Sequence, residues 1–122
     1  MIHRVLIVED DSVVADMVTD VLSALNIETF IAPSGQAALA LYSEHDPDLV
    51  LLDIALPDLN GFEVARQIRE KEGTTPRTHI TMMTAYAQSF FVSKGFEAGI
   101  DDYLSKPILP QDLEDHVATL AL

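Results

Sequence analysis

Apolar residues in this chain come in two alternating textures: short uninterrupted runs, and longer stretches where they recur every three or four positions. The runs RVLIV (Arg4 to Val8) and DLVLL (Asp48 to Leu52) lack the alternation of a half-exposed strand, so they predict strands buried on both faces. Glu28 to Ala32, Thr78 to Met83 and Asp102 to Leu104 complete five candidate strands. Over Ser12 to Leu25, apolar Val14, Met17, Val18, Val21, Leu22 and Leu25 share a helical face, and Asp11 is placed to cap it. Pro33-Ser34-Gly35 opens a helix over GQAALALYSEH, which stops before Pro47. Asn60-Gly61 starts FEVARQIREKE, closed by Gly73, and Ala87 to Ala98 is stopped by Gly99. Pro110 opens QDLEDHVATLAL, where Leu113, Val117 and Leu120 lie on one side.

Strict strand–helix alternation, without repeat or low-complexity linker, predicts one α/β domain over residues 1–122: a doubly wound, three-layer arrangement with parallel strands and right-handed crossovers. Ligands of such sheets gather beyond the carboxyl ends of the strands. At 122 residues and 48% hydrophobic composition, the chain can bury roughly two-thirds of its unfolded surface. It has no cysteine, which excludes disulfides, thiolate metal sites and cysteine nucleophiles. MIHRVLIVEDD turns acidic too soon for a signal peptide, and no apolar stretch nears the ~18 residues of a membrane span. A cytoplasmic protein away from membranes is expected. A formal charge of −13 argues against direct contact with nucleic acid and favours a cation or a basic or mixed-charge protein partner. Excess surface acid also serves solubility alone.

Candidate chemistry collects at the predicted strand ends. The first strand runs into Glu9-Asp10-Asp11, the third into Asp53, the fourth into Thr84, and Lys106-Pro107 follows the fifth. Parallel strands put all of these on one edge. Singly, each has an ordinary role: Asp10 or Asp11 as a helix cap, Asp53 as the start of a turn, Thr84 as a cap, Lys106 as a solvated side chain. Jointly they describe a site for phosphoryl transfer. Clustered carboxylates repel unless a cation sits among them, and all-oxygen ligation suits Mg²⁺. Asp53 is then the nucleophile, while Thr84 and Lys106 can bond the equatorial phosphoryl oxygens.

VLIVEDD, LVLLDIALPDLNGFE, MMTA and GFEAGIDDYLSKP, in this order and spacing, closely resemble the receiver domain of two-component response regulators across essentially the whole chain. The resemblance implies a CheY-like (βα)5 flavodoxin-type fold with strand order 2-1-3-4-5. It implies that Asp53 is the phosphoacceptor and that Mg²⁺, with Mn²⁺ able to substitute, is bound by Asp10, Asp53, the Ala55 carbonyl and, mainly through water, Glu9. Asp11 is left as the helix cap. Thr84 and Lys106 become phosphoryl sensors, Tyr103 the switch aromatic, and the Lys106–Pro107 bond is expected to be cis. The implied partners are a histidine kinase or histidine phosphotransfer domain as donor. An output protein or domain would be reached through the fourth helix, fifth strand and fifth helix, with a homodimer also open. The domain would be a signalling module that catalyses only its own phosphorylation and slow autodephosphorylation. Ala55 stands where a larger residue is frequent, and Tyr86 is bulky, so phosphoryl lifetime is left open; Asn60 replaces a common Asp before Gly61.

Rival readings are a receiver-fold scaffold with little phosphotransfer and a Mg-dependent aspartyl-phosphate phosphatase. The latter needs a second acid two residues after its nucleophile, where this chain has Ala55. No GxGxxG or GxxxxGK[ST] offers a nucleotide cradle. On the output face, residues 92 and 96 are expected to point inward and Phe90 outward beside Lys94, as a partner or dimer contact or else folded into the core. Asp112, Glu114 and Asp115, with no Arg or Lys on the last helix, argue against dimerisation by acid–base pairing there. His3, His45, His79 and His116 are scattered, and all four read as surface or capping residues.

Overall fold

The computed structural model describes residues 2–74, 78–85 and 89–120, with backbone alone at 89 and 90. Five strands alternate with five helices: β1 (Arg4–Val8), α1 (Ser12–Ala24), β2 (Glu28–Ala32), α2 (Gly35–His45), β3 (Leu49–Asp53), α3 (Gly61–Glu72), β4 (His79–Thr84), α4 (Ser89–Ala98), β5 (Asp102–Ser105) and α5 (Pro110–Leu120). The strands form one sheet in the order β2-β1-β3-β4-β5, and every pairing is parallel. Strand order therefore reverses between β1 and β3. The expected doubly wound fold and strand order are present. The start of the predicted helix at Ala87 lies outside the described residues.

The unalternating run in β3 follows from having a core on both sides. Val50 and Leu52 join Leu6, Val8, Ile80 and Met82 against α2, α3 and α4. Leu49 and Leu51 join Val5, Ile7 and Met83 against α1 and α5. Successive side chains of a strand point to opposite faces, so a strand covered on both sides has no polar position to spare. Burying one such leucine contributes about 2 kcal/mol. The predicted Asp48 to Leu52 strand shifts by one residue, because Asp48 instead accepts from the amides of His3 and Arg4 at 2.8 and 2.9 Å and starts the turn into β3. Asp53 becomes the last residue within the strand.

Helix ends follow local chemistry. Asp11 caps α1 by accepting from Val13 and Val14, Ser34 caps α2 through Ala37, and Asn60 caps α3 through Glu63. Leu25, expected on the inner face of α1, is its exposed C-cap. On α4 the inward stripe is Phe91, Gly95 and Ala98, not 92 and 96: Phe96 is 49% exposed, and Val92 is only half-buried. Closeness of packing decides this. A methyl group on Gly95 would come within 2.5 Å of Ile100 Cδ1, so the helix approaches its neighbours through its smallest residues. The side chain of Phe90 lies outside the described residues.

Candidate functional site

The carboxyl ends of β1, β3, β4 and the segment after β5 bring carboxylates, a hydroxyl and an ammonium together. Glu9 follows β1 directly and is 2% exposed; Asp53 closes β3 at 6% and Thr84 closes β4 at 1%. Burial of two carboxylates side by side is costly unless something compensates. Lys106 supplies part of that compensation. Its Nζ donates to Glu9 Oε1 at 2.7 Å and lies 3.4 Å from Asp53 Oδ2. Asp10 is exposed, yet a carboxylate oxygen from each of Glu9, Asp10 and Asp53 lies within 4.8 Å of the other two.

Backbone geometry holds these groups in place. Asp53 pairs in register with Met83, which puts Thr84 one step further along the neighbouring strand. The Lys106 amide donates to the Thr84 carbonyl at 2.8 Å, and the Lys106–Pro107 bond is cis, as the resemblance implies. Ala55, in the loop after β3, donates its amide to Asp53 Oδ1 at 3.3 Å. The Gly61 amide donates to Ile54 at 2.9 Å, folding that loop back on the strand end. A methyl group at Gly61 would sit 2.5 Å from the Asp53 carbonyl oxygen, so only glycine permits so close a return.

Electrostatics register the crowding. Burial, helped by the hydrogen bond to Asp53 and its charge, pushes the Glu9 carboxyl up to about 7, even though Lys106 pulls the other way. Burial disfavours the Lys106 ammonium, but the Glu9 hydrogen bond and the charges of Asp53 and Glu9 outweigh it and raise its pKa. This is the pattern of a site short of positive charge. Three carboxylates form an all-oxygen donor set that fits a hard divalent cation. Tyr103, the expected switch aromatic, is a β5 residue paired with Met82 and is 39% exposed; it does not join the cluster. Tyr86 lies outside the described residues.

Two features escape sequence reasoning. Asp58, in the loop after β3, accepts from the amides of Gly35, Gln36 and Leu59 at 2.8, 2.9 and 2.8 Å. It thereby ties that loop to the N-terminus of α2. The hydrogen bonds from Gln36 and Gly35 hold its carboxyl below the usual range. Ser34-Gly35 announces a helix start, but nothing in the sequence names the distant acid that serves it. The second is a correction: His79 and His116 are not surface or capping residues, because both are half-buried around Asp102.

Comparison with known proteins places this arrangement. A family profile described as response regulator receiver domain matches residues 5–118. The DNA-binding response regulator MtrA of Mycobacterium tuberculosis is 41% identical over 113 residues, covering 93% of this chain and 48% of that protein. A probable transcriptional regulator, ycf27, of Galdieria sulphuraria is 36% identical over 115 residues, 94% of this chain and 44% of that protein. This chain thus spans about half the length of the curated relatives it matches. Among solved structures, a putative response regulator from Chloroflexus aurantiacus superposes with a TM-score of 0.85 at 36% identity, covering 98% of both chains. A CheY-like receiver domain protein from Methanospirillum hungatei gives 0.89 at 30% identity, over 98% of this chain and 94% of that one. No described helix is long and apolar enough to cross a membrane.

Proposed function

Because the chain belongs to the response regulator receiver domains of two-component signalling, we propose that it accepts a phosphoryl group on Asp53 and passes the change to the surface formed by α4, β5 and α5. The observation that carries this reading is the convergence of Glu9, Asp53 and Lys106 at the strand ends, within 2.7 and 3.4 Å. Asp53 is fixed on a central strand with core on both sides, which suits a nucleophile that must meet phosphorus in line.

Glu9, Asp10, Asp53 and the Ala55 carbonyl would hold Mg²⁺, or Mn²⁺ in its place, which supplies charge withdrawal from the phosphoryl oxygens. Asp53 attacks phosphorus through one carboxylate oxygen, the bond from phosphorus to the donor breaks, and the donor leaves with the electron pair. Lys106 releases Asp53 and Glu9 to pair with one phosphoryl oxygen, and the Thr84 hydroxyl donates to another. The donor is a phosphohistidine of a kinase or phosphotransfer domain. Thr84 and Tyr103, on adjacent strands, relay the change outward. In the longer relatives, whose names include DNA binding, a receiver accounts for about half the chain. Our reading leaves nucleic-acid contact to whatever this receiver controls, since its own charge is −13.

Incubation with acetyl phosphate and Mg²⁺, followed by intact mass measurement, tests the assignment. Wild type gains one phosphoryl group and releases acetate; Asp53→Asn gains none. Equal labelling of the two proteins rejects Asp53 as acceptor.

A further inference from the structure

A second polar cluster lies on the α5 side of β4 and β5, away from the strand-end carboxylates. His79 opens β4, Thr81 follows on the same strand face, Asp102 opens β5, and His116 reaches in from α5. His79 Nε2 lies 3.0 Å and His116 Nε2 3.5 Å from the same oxygen, Asp102 Oδ2. Thr81 Oγ1 is 2.6 Å from Asp102 Oδ1 and 2.9 Å from His116 Nε2.

Hydrogen-bond inventory fixes the protons. Ionised Asp102 only accepts, so Thr81 spends its one hydrogen on Asp102 and must accept from His116; the proton of neutral His116 is therefore on Nε2. His79 likewise donates through Nε2 to Asp102. Two imidazole nitrogens and one carboxylate oxygen thus converge: His79 and Asp102 share a proton where a cation could sit, and His116 Nε2 joins them by turning from Thr81 toward Asp102 Oδ2. We propose that His79, Asp102 and His116 form a binding site for a borderline transition-metal ion of the Zn²⁺ class, distinct from the Mg²⁺-type site at Asp53.

The spacing suits it. Ligand bonds of about 2.0–2.1 Å in a tetrahedron put donor atoms about 3.4 Å apart, and the two imidazole nitrogens lie 3.0 and 3.5 Å from Asp102 Oδ2. All three donors lie within 4.8 Å of one another. Two imidazoles and a carboxylate favour Zn²⁺, Co²⁺ or Ni²⁺ over Mg²⁺, which prefers the oxygen-only set at the strand ends.

The surroundings suit it too. His79 Nδ1 lies 3.8 Å from Asp101 Oδ2, an oxygen anchored by the Ile80 amide at 2.8 Å and by Arg69 Nη2 at 2.7 Å. At 3.8 Å this carboxylate does not hydrogen-bond the ring, but its negative charge lies behind the imidazole and favours a cation on its far side. His116 also lines a cleft of about 450 Å³ whose walls include Asp112 and Asp115, an acidic approach for a cation from the α5 side. Binding moves the imidazole protons from Nε2 to Nδ1 or into solvent. The bound ion joins β4, β5 and α5 through one centre.

Zn²⁺ titration of the full chain by calorimetry, in an Asp10→Asn background that weakens the strand-end carboxylate set, tests the proposal. One equivalent binds, Co²⁺ in its place gives the visible absorption of tetrahedral coordination, and His79→Ala or His116→Ala each weakens binding at least about tenfold, the loss that even an outer-shell partner brings. Should an alanine variant fail to fold, imidazole ¹⁵N shifts of the unsubstituted chain decide: Zn²⁺ moves the Nε2 signals of His79 and His116 and leaves His3 and His45 in place. Unchanged affinity in both variants, absence of binding, or shifts confined to His3 and His45 overturns the site.

Discussion

The two half-buried polar clusters of this domain solve the same electrostatic problem in different ways. At the strand ends, Glu9 and Asp53 crowd together with one ammonium between them, and the Glu9 carboxyl is pushed up to about 7 by burial and by Asp53. Around Asp102, burial also acts against the charge, but the nearby His116 and hydrogen bonds from His79 and Thr81 outweigh it and hold this carboxyl far below the usual carboxylate range. The hydrogen bond to Asp102 in turn raises the pKa of His79, although burial opposes it. One cluster is left wanting positive charge, which fits the cation and the phosphoryl group proposed for it. The other is internally satisfied, so any ion it takes must displace protons that already have partners. Reactivity goes with deficit, and cohesion with balance.

If the clusters are independent, each can be broken alone. The largest effect is expected from Lys106→Met, which removes the ammonium between Glu9 and Asp53. Labelling by acetyl phosphate should slow about a hundredfold, the usual loss for one preorganised charge-stabilising donor, while Zn²⁺ affinity stays the same. A parallel loss of Zn²⁺ binding would show that the two clusters are coupled.

Thr81→Val acts in the opposite sense. It leaves one Asp102 oxygen and the His116 Nε2 proton without their partner, which costs about 2 kcal/mol of stability by urea denaturation. The phosphorylation rate should not change. A slower rate would mean that the β4–β5 margin governs the geometry of Asp53.

The smallest effect belongs to Asp58→Ala, which unfastens the loop after β3 from α2. The Asp58 carboxyl is held below its ordinary value by the Gln36 and Gly35 hydrogen bonds, so its contribution is present above that value and is lost as the pH falls through the depressed one. The variant should melt below wild type at neutral pH, and the gap in melting temperature should close in acid. A gap that stays constant with pH would assign the effect to the loop backbone and not to the carboxylate.

The sequence shows the strand-end cluster because topology does the assembling. In a parallel sheet, whatever follows each apolar run lands on the same edge, so Glu9, Asp53, Thr84 and Lys106 can be placed together from strand assignments alone. The Asp102 cluster offers no such rule. His79 and Asp102 stand at the starts of strands, and His116 is one polar residue among several on α5. Only the pairing of Thr81 with Asp102 and the rotation of α5 bring them together. The inner face of α4 is hidden for a similar reason: size suggests Phe96, but close approach selects Gly95 and Ala98. Asp58 is invisible until the loop after β3 is seen beside the start of α2.

The central position of β3 has a mechanical corollary. Its backbone is laddered to β1 and β4, and its side chains are wedged above and below, so it offers a stiff support for an acceptor. New charge arriving there cannot be absorbed by recoil of the strand. In the proposed reading the displacement is handed along the attachments that end on it, from the Lys106 side chain through its amide to the Thr84 carbonyl of β4 and along the chain into β5, which has a neighbour on one side only. An unyielding anvil in the middle of the sheet would thus make the β5 rim the moving part of the proposed switch.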